Sequence, residues 1–101
     1  ILKTVWKYPI IPVATAKEFT LELPKGADII KVANEGAPFF WAVVDTEAPL
    51  CTRTFGVFGT GHRLSNPSLC YVDTFFDPPF VWHLFEYTSI EEEIGNARTQ
   101  S

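Results

Sequence analysis

The sequence predicts an all-β domain, a small sandwich or barrel of about seven strands with a short C-terminal helix. Three observations predict it. The 8 prolines and 6 glycines of the 101-residue chain fall between apolar runs and not inside them, which is how turn residues punctuate a β chain. The segments they separate are short and evenly spaced. Aromatic residues reach 15%, a share that suits a β-rich core or an exposed adhesive face.

Taken in order, strands are expected at about 3–8, 18–23, 28–33, 38–45, 52–58, 70–76 and 80–87. In the second, Phe19, Leu21 and Leu23 alternate with Glu18, Thr20 and Glu22, so one face covers a core and the other meets water. Pro24-Lys25-Gly26-Ala27 then has turn chemistry, which predicts that the second and third strands form a hairpin. The runs Phe39–Val44 and Phe80–Phe85 are apolar on both faces, as in central sandwich strands or strands at a subunit contact, and the second possibility makes a homo-oligomer the expected state. In Thr88–Ile94, Ser89 and Glu92 have capping-box spacing, and the acidic residues suit a helix start. That helix has only Ile90 and Ile94 to bury, so it docks on the sheet or a partner, or it frays. The domain reading is a β domain over 1–88 followed by a short helix and polar tail over 89–101.

Composition excludes several functions. The net charge is -4 and no Lys/Arg run occurs, so the electrostatic footprint of phosphate binding is missing and nucleic acid is not an expected partner. No stretch approaches the roughly 20 apolar residues of a membrane span. The N-terminal ILKTVWKYPIIP lacks the order of a signal peptide, so the expectation is a soluble, unexported protein without a membrane. Cys51 and Cys70 do not make a disulfide framework and read as reduced strand residues of a cytosolic protein, although strands could bring them into register for a single bridge. There is no methionine, so the first residue has been removed or the chain begins inside a longer one.

The residues with chemistry to offer are few. Gly59-Thr60-Gly61-His62-Arg63 joins two glycines that admit a ligand to backbone amides with a hydroxyl, an imidazole and a guanidinium, a set able to hold a small anion. It lacks the strand-loop-helix context and Lys of a P-loop and the third Gly of a dinucleotide fingerprint, and a plain connecting loop explains it equally well. His62 and His83 show no metal-ligand spacing, and His83, between Trp82 and Leu84, reads as a hydrogen-bonded structural histidine. No nucleophile elbow, Cys-His arrangement or cofactor fingerprint is present, so neither cofactor nor metal is expected and an enzyme is the least favoured class. Its one form would use His62 with Arg53 as acid–base and oxyanion partners. Trp6 and Tyr8 share one face of the first strand; core packing is the ordinary role for Trp6, and if exposed these rings, with Trp82, become anchors for a partner.

Several segments resemble a family of small proteins of unknown function encoded in tailed bacteriophages and prophages. They are Lys3–Pro9, Leu23–Ala27, Phe40–Asp45 with Ala48-Pro49, Arg53 ahead of Gly59-Thr60-Gly61-His62, Thr74-Phe75 and Phe80–Glu86. The resemblance implies a phage accessory protein, located in the cytoplasm of the infected bacterial host or in the virion. It raises the standing of Arg53 and the loop as a site, while Arg63 stands where relatives carry proline. The resulting expectation is a non-enzymatic accessory or anti-defence factor that binds a host protein or small anionic ligand through Arg53, Gly59, Thr60, Gly61, His62 and Arg63. The alternative is a minor structural or decorating protein whose partners are virion proteins.

Overall fold

The computed structural model describes residues 2–10, 18–64 and 68–88. Within them the chain is all-β, with seven strands: β1 Lys3–Pro9, β2 Glu18–Pro24, β3 Asp28–Asn34, β4 Pro38–Asp45, β5 Leu50–Gly59, β6 Leu69–Asp77 and β7 Phe80–Tyr87. The expected short C-terminal helix over 89–94 lies outside the described residues. The strands form two antiparallel sheets, one ordered β1-β4-β3 and the other β2-β5-β7-β6. The two layers bury their facing surfaces against each other as a β-sandwich.

Strand alternation assigns the faces. In β4, Phe40, Ala42 and Val44 are buried, and in β5, Phe55 and Val57. Tyr8, Phe40, Phe55 and Phe19 form a continuous file of rings across both layers, with successive centroids 5.2, 5.4 and 5.5 Å apart. These separations lie within the favourable range for aromatic pairs. At the β3 and β6 edges, Asn34 Nδ2 donates to the Phe76 carbonyl at 3.1 Å, fastening one sheet to the other.

The expected β2–β3 hairpin does not form. Ala27 N–H donates to the Pro24 carbonyl and Gly26 has φ 82°, so the chain does turn there, but β2 pairs with β5 and β3 with β4. The turn carries the chain from one layer to the other. Turn residues dictate a reversal, whereas the layer joined next depends on which apolar face must be covered.

The two doubly apolar segments are interior strands. β4 is the middle of its sheet and β7 lies between β5 and β6. The outward Phe39 and Trp41 are shielded within the chain, since Lys7 Nζ sits 4.0 Å from the Phe39 ring centroid and Lys31 Nζ 5.7 Å from that of Trp41. The ammonium groups thus lie over the rings as cation–π contacts, and that of Lys7 is also 3.8 Å from Glu35 Oε1. Cys51 and Cys70 are free, on strands that β7 separates.

Candidate functional site

The six residues grouped by sequence into one ligand site divide between the two faces of the four-stranded sheet. Arg53 points inward with Phe55, its guanidinium carbon 5.8 Å from that ring centroid. Its Nε and Nη2 each donate to Glu86 at 2.6 Å, and its Nη1 donates to the Ala27 carbonyl at 2.7 Å. This two-pronged, part-buried pair links β5, β7 and the turn before β3, a strong form of hydrogen bond. From Arg53 to Gly59 is about 20 Å along an extended strand, so the guanidinium and the loop do not meet.

The loop begins where β5 ends. His62 N–H donates to the Gly59 carbonyl at 3.0 Å, closing a tight turn, and Gly61 takes φ 90°, a value side chains other than hydrogen rarely allow. Gly59 N–H in turn donates to His62 Nδ1 at 3.0 Å, so the imidazole folds back over its own turn. A neutral His62 therefore keeps its proton on Nε2.

Beside this turn lies a shallow bowl of about 210 Å³, lined by Phe58, Thr60, His62, Leu64, His83 and Phe85 together with the two glycines. Phe58 and Phe85 meet edge to face with centroids 5.6 Å apart. His83 has both ring nitrogens engaged: Nε2 is 2.9 Å from Thr60 Oγ1 and Nδ1 is 2.9 Å from Thr74 Oγ1. Thr74 Oγ1 is also 2.6 Å from the Tyr71 hydroxyl. A hydrogen-bonded line thus runs from the bowl through the histidine to Tyr71, which is 59% exposed. Phe76, on the same outward face, is 64% exposed.

Of the sequence-derived candidates, Gly59, Thr60, Gly61 and His62 line the bowl, Arg63 stands between the lining residues His62 and Leu64 and is exposed without lining it, and Arg53 belongs to the inner face. The expected anchors separate as well. Trp82 packs against the core and Tyr8 stacks half-buried on Phe40, while Trp6 is 41% exposed at the β1 edge. Sequence reasoning missed Phe58, Phe85, Thr74 and Tyr71. Their signal was in the alternation, because fixing Leu84 and Phe75 inward turns His83, Phe85 and Thr74 outward together. Among the described residues no group of three or more His, Cys, Asp or Glu gathers as a metal-ligand set, and no helix is long and apolar enough to cross a membrane.

Two tyrosines are held above the ordinary tyrosine range. Burial raises Tyr8, partly offset by the Arg53 charge. Burial raises Tyr87 too, reinforced by the charge of Glu18 and by the hydrogen bond to it.

This geometry defines a small two-sheet antiparallel β domain with a donor-bearing bowl on one outer face. The chain belongs to the family of the domain of unknown function DUF7352, whose model matches residues 2–95. Comparison with curated proteins and with solved structures gives no match.

Proposed function

We propose that the chain is a non-enzymatic accessory protein of a bacteriophage, acting in the cytoplasm of the infected bacterium, and that the outer face of its four-stranded sheet docks on a host protein. The observation that carries this reading is the exposure of Tyr71, whose ring meets the bowl residue Phe85 edge to face with centroids 5.6 Å apart, and of Phe76 further along β6. Exposed aromatics on the same face as a shallow apolar hollow are the kind of surface that anchors a protein partner. The phage origin rests on the motif resemblance. Arg53 is committed to Glu86, which favours a protein partner over a small anion held by that guanidinium. The distance between Arg53 and His62 likewise favours binding over catalysis.

A photo-crosslinking residue placed at Tyr71 or Phe76 during infection is expected to give a discrete adduct with one host protein, and the same residue at Val43 on the other sheet none. Equal labelling from all three positions, or no adduct from any, overturns the reading. The same exposed face would also suit attachment to a second copy or to a particle protein. Native mass spectrometry of the purified chain reads the first, and finding the chain in purified virions would support the second.

A further inference from the structure

The bowl at the centre of this face is chemically one-sided. Its floor is the Phe58–Phe85 pair and Leu64 forms one wall, while Thr60, Gly61, His62 and His83 supply its polar groups, and among the described residues no carboxylate lines it. The heavy-atom contacts allow the hydrogen-bonded line to run either way, and donor strength selects one direction. A phenol is a stronger donor than an aliphatic alcohol, so the Tyr71 hydroxyl donates to Thr74 Oγ1 across their 2.6 Å contact. Thr74 then gives its own proton to His83 Nδ1, and neutral His83 carries its proton on Nε2 and donates it to Thr60 Oγ1. The Thr60 hydroxyl proton is left to face the bowl. On the other side of the turn, the Gly59 amide occupies His62 Nδ1 and leaves the neutral ring's proton on Nε2, in an imidazole that lines the bowl and meets Trp82 edge-on with centroids 6.4 Å apart. The Gly61 amide makes no hydrogen bond among the described residues, and the exposed Arg63 forms no ion pair among them.

We infer that the bowl takes an apolar or aromatic side chain of the partner protein that adjoins a carboxylate, the ring or alkyl group resting on Phe58 and Phe85 and the carboxylate meeting Thr60, His62 and Arg63. The inference rests on the docking reading above. Charge complementarity selects this occupant: an apolar floor with neutral donors, a nearby cation and no acid repels neither half of such a group and leaves a basic segment without a counter-charge.

The test is proton–nitrogen correlation NMR of the full chain, titrated separately with 3-phenylpropionate, its neutral analogue 3-phenylpropanamide, and propionate. The first is expected to shift the Gly59, Gly61 and Leu64 amides saturably and to bind about fivefold or more tightly than either of the others. Thr60→Val is expected to weaken 3-phenylpropionate several-fold and to leave 3-phenylpropanamide nearly unchanged; its spectrum also reports whether the fold is kept. Equal affinity for the acid and the amide, or no saturable shift at these amides, overturns the assignment. Imidazole nitrogen shifts give a readout that needs no ligand: both histidines are expected to carry the proton on Nε2. A proton on His83 Nδ1 would reverse the hydrogen-bonded line, withdraw the Thr60 donor and overturn the donor rim. A crosslinked partner at Tyr71 without preference for the acid removes the carboxylate and leaves the docking reading standing. Preference for the acid without a crosslinked partner removes the protein source and keeps the site chemistry.

Discussion

The two ends of β5 offer similar chemical groups put to opposite use. Near its start, Arg53 turns inward and spends its guanidinium on Glu86 and the Ala27 carbonyl. Beyond its end, the Gly59–His62 turn satisfies itself with two internal hydrogen bonds and still presents donors to the outside. Arg53, close in sequence to a glycine-rich loop, is therefore not part of that loop's site. Strand period and strand rise decide the matter, since alternation sends Arg53 to the core side and six residues of extended chain carry it away.

The largest effect expected from breaking this contrast is at the inner end. Glu86→Ala removes the carboxylate from a guanidinium whose side chain is only 20% exposed, and is expected to cost about 2–4 kcal/mol, the range for stripping one partner from a part-buried charged pair. Glu86→Gln keeps an acceptor and is expected to cost about half as much. Urea denaturation measures both, and binding of 3-phenylpropionate at the outer bowl is expected to be unchanged. A loss for Glu86→Ala under about 0.5 kcal/mol would mean the pair acts as a hydrated surface bridge, and the inner end would lose its structural role.

A smaller effect lies between the two ends, where the outer face is closest to overfilled. A methyl group at Gly56 would stand 2.9 Å from a Phe58 ring carbon and 3.0 Å from one of Tyr87, so both rings must shift to admit it. Gly56→Ala is expected to cost about 1–3 kcal/mol and to lower the melting temperature by several degrees. Because Phe58 is the floor of the bowl, fragment binding is expected to weaken in the same variant. Lost stability with unaltered binding would show that Phe58 yields without disturbing the site.

The strands were legible because their signal is local. Alternation in Glu18–Leu23 and the Pro/Gly punctuation locate segments within one or two residues of the observed ends, β5 being the most extended, at Leu50–Gly59. The double-sided apolarity of β4 and β7 was legible too, and interior sheet position accounts for it inside one chain, with the Lys7 and Lys31 ammonium groups over the outward rings of β4. Pairing was less legible. Pro24–Ala27 encodes a turn, and nothing local in it says that β3 will leave for the other layer. The site was half legible for the same reason: residue types pick out the turn and its histidine, but the ring floor comes from β5 and β7, and the line through His83 to Tyr71 depends on β6 standing beside β7. The inward direction of Trp82 followed from its alternation with His83 once Leu84 is known to be buried.

The smallest expected effects concern two hydroxyls, and they divide the faces once more. The Tyr8 oxygen is enclosed and has no hydrogen-bond partner among the described residues, whereas Tyr87 shares a hydrogen bond with Glu18. Tyr8→Phe keeps the ring stack on Phe40 and deletes an unpaired oxygen, so it is expected to be neutral or stabilising by up to about 1 kcal/mol. Tyr87→Phe deletes a made bond and is expected to cost about 0.5 kcal/mol near neutral pH. Alkali adds a second test. Both hydroxyls hold their protons more tightly in the folded chain than in the unfolded one, so their contribution is complete below the ordinary tyrosine value of about 10 and is lost as the pH rises through the raised folded values. Each phenylalanine variant lacks that loss, so the stability of Tyr8→Phe relative to the parent is expected to increase above about pH 10, and the deficit of Tyr87→Phe to shrink there. A Tyr8→Phe variant destabilised by about 1 kcal/mol at neutral pH would mean that the enclosed hydroxyl has a partner, and the inner end would then be satisfied at Tyr8 as fully as it is at Arg53.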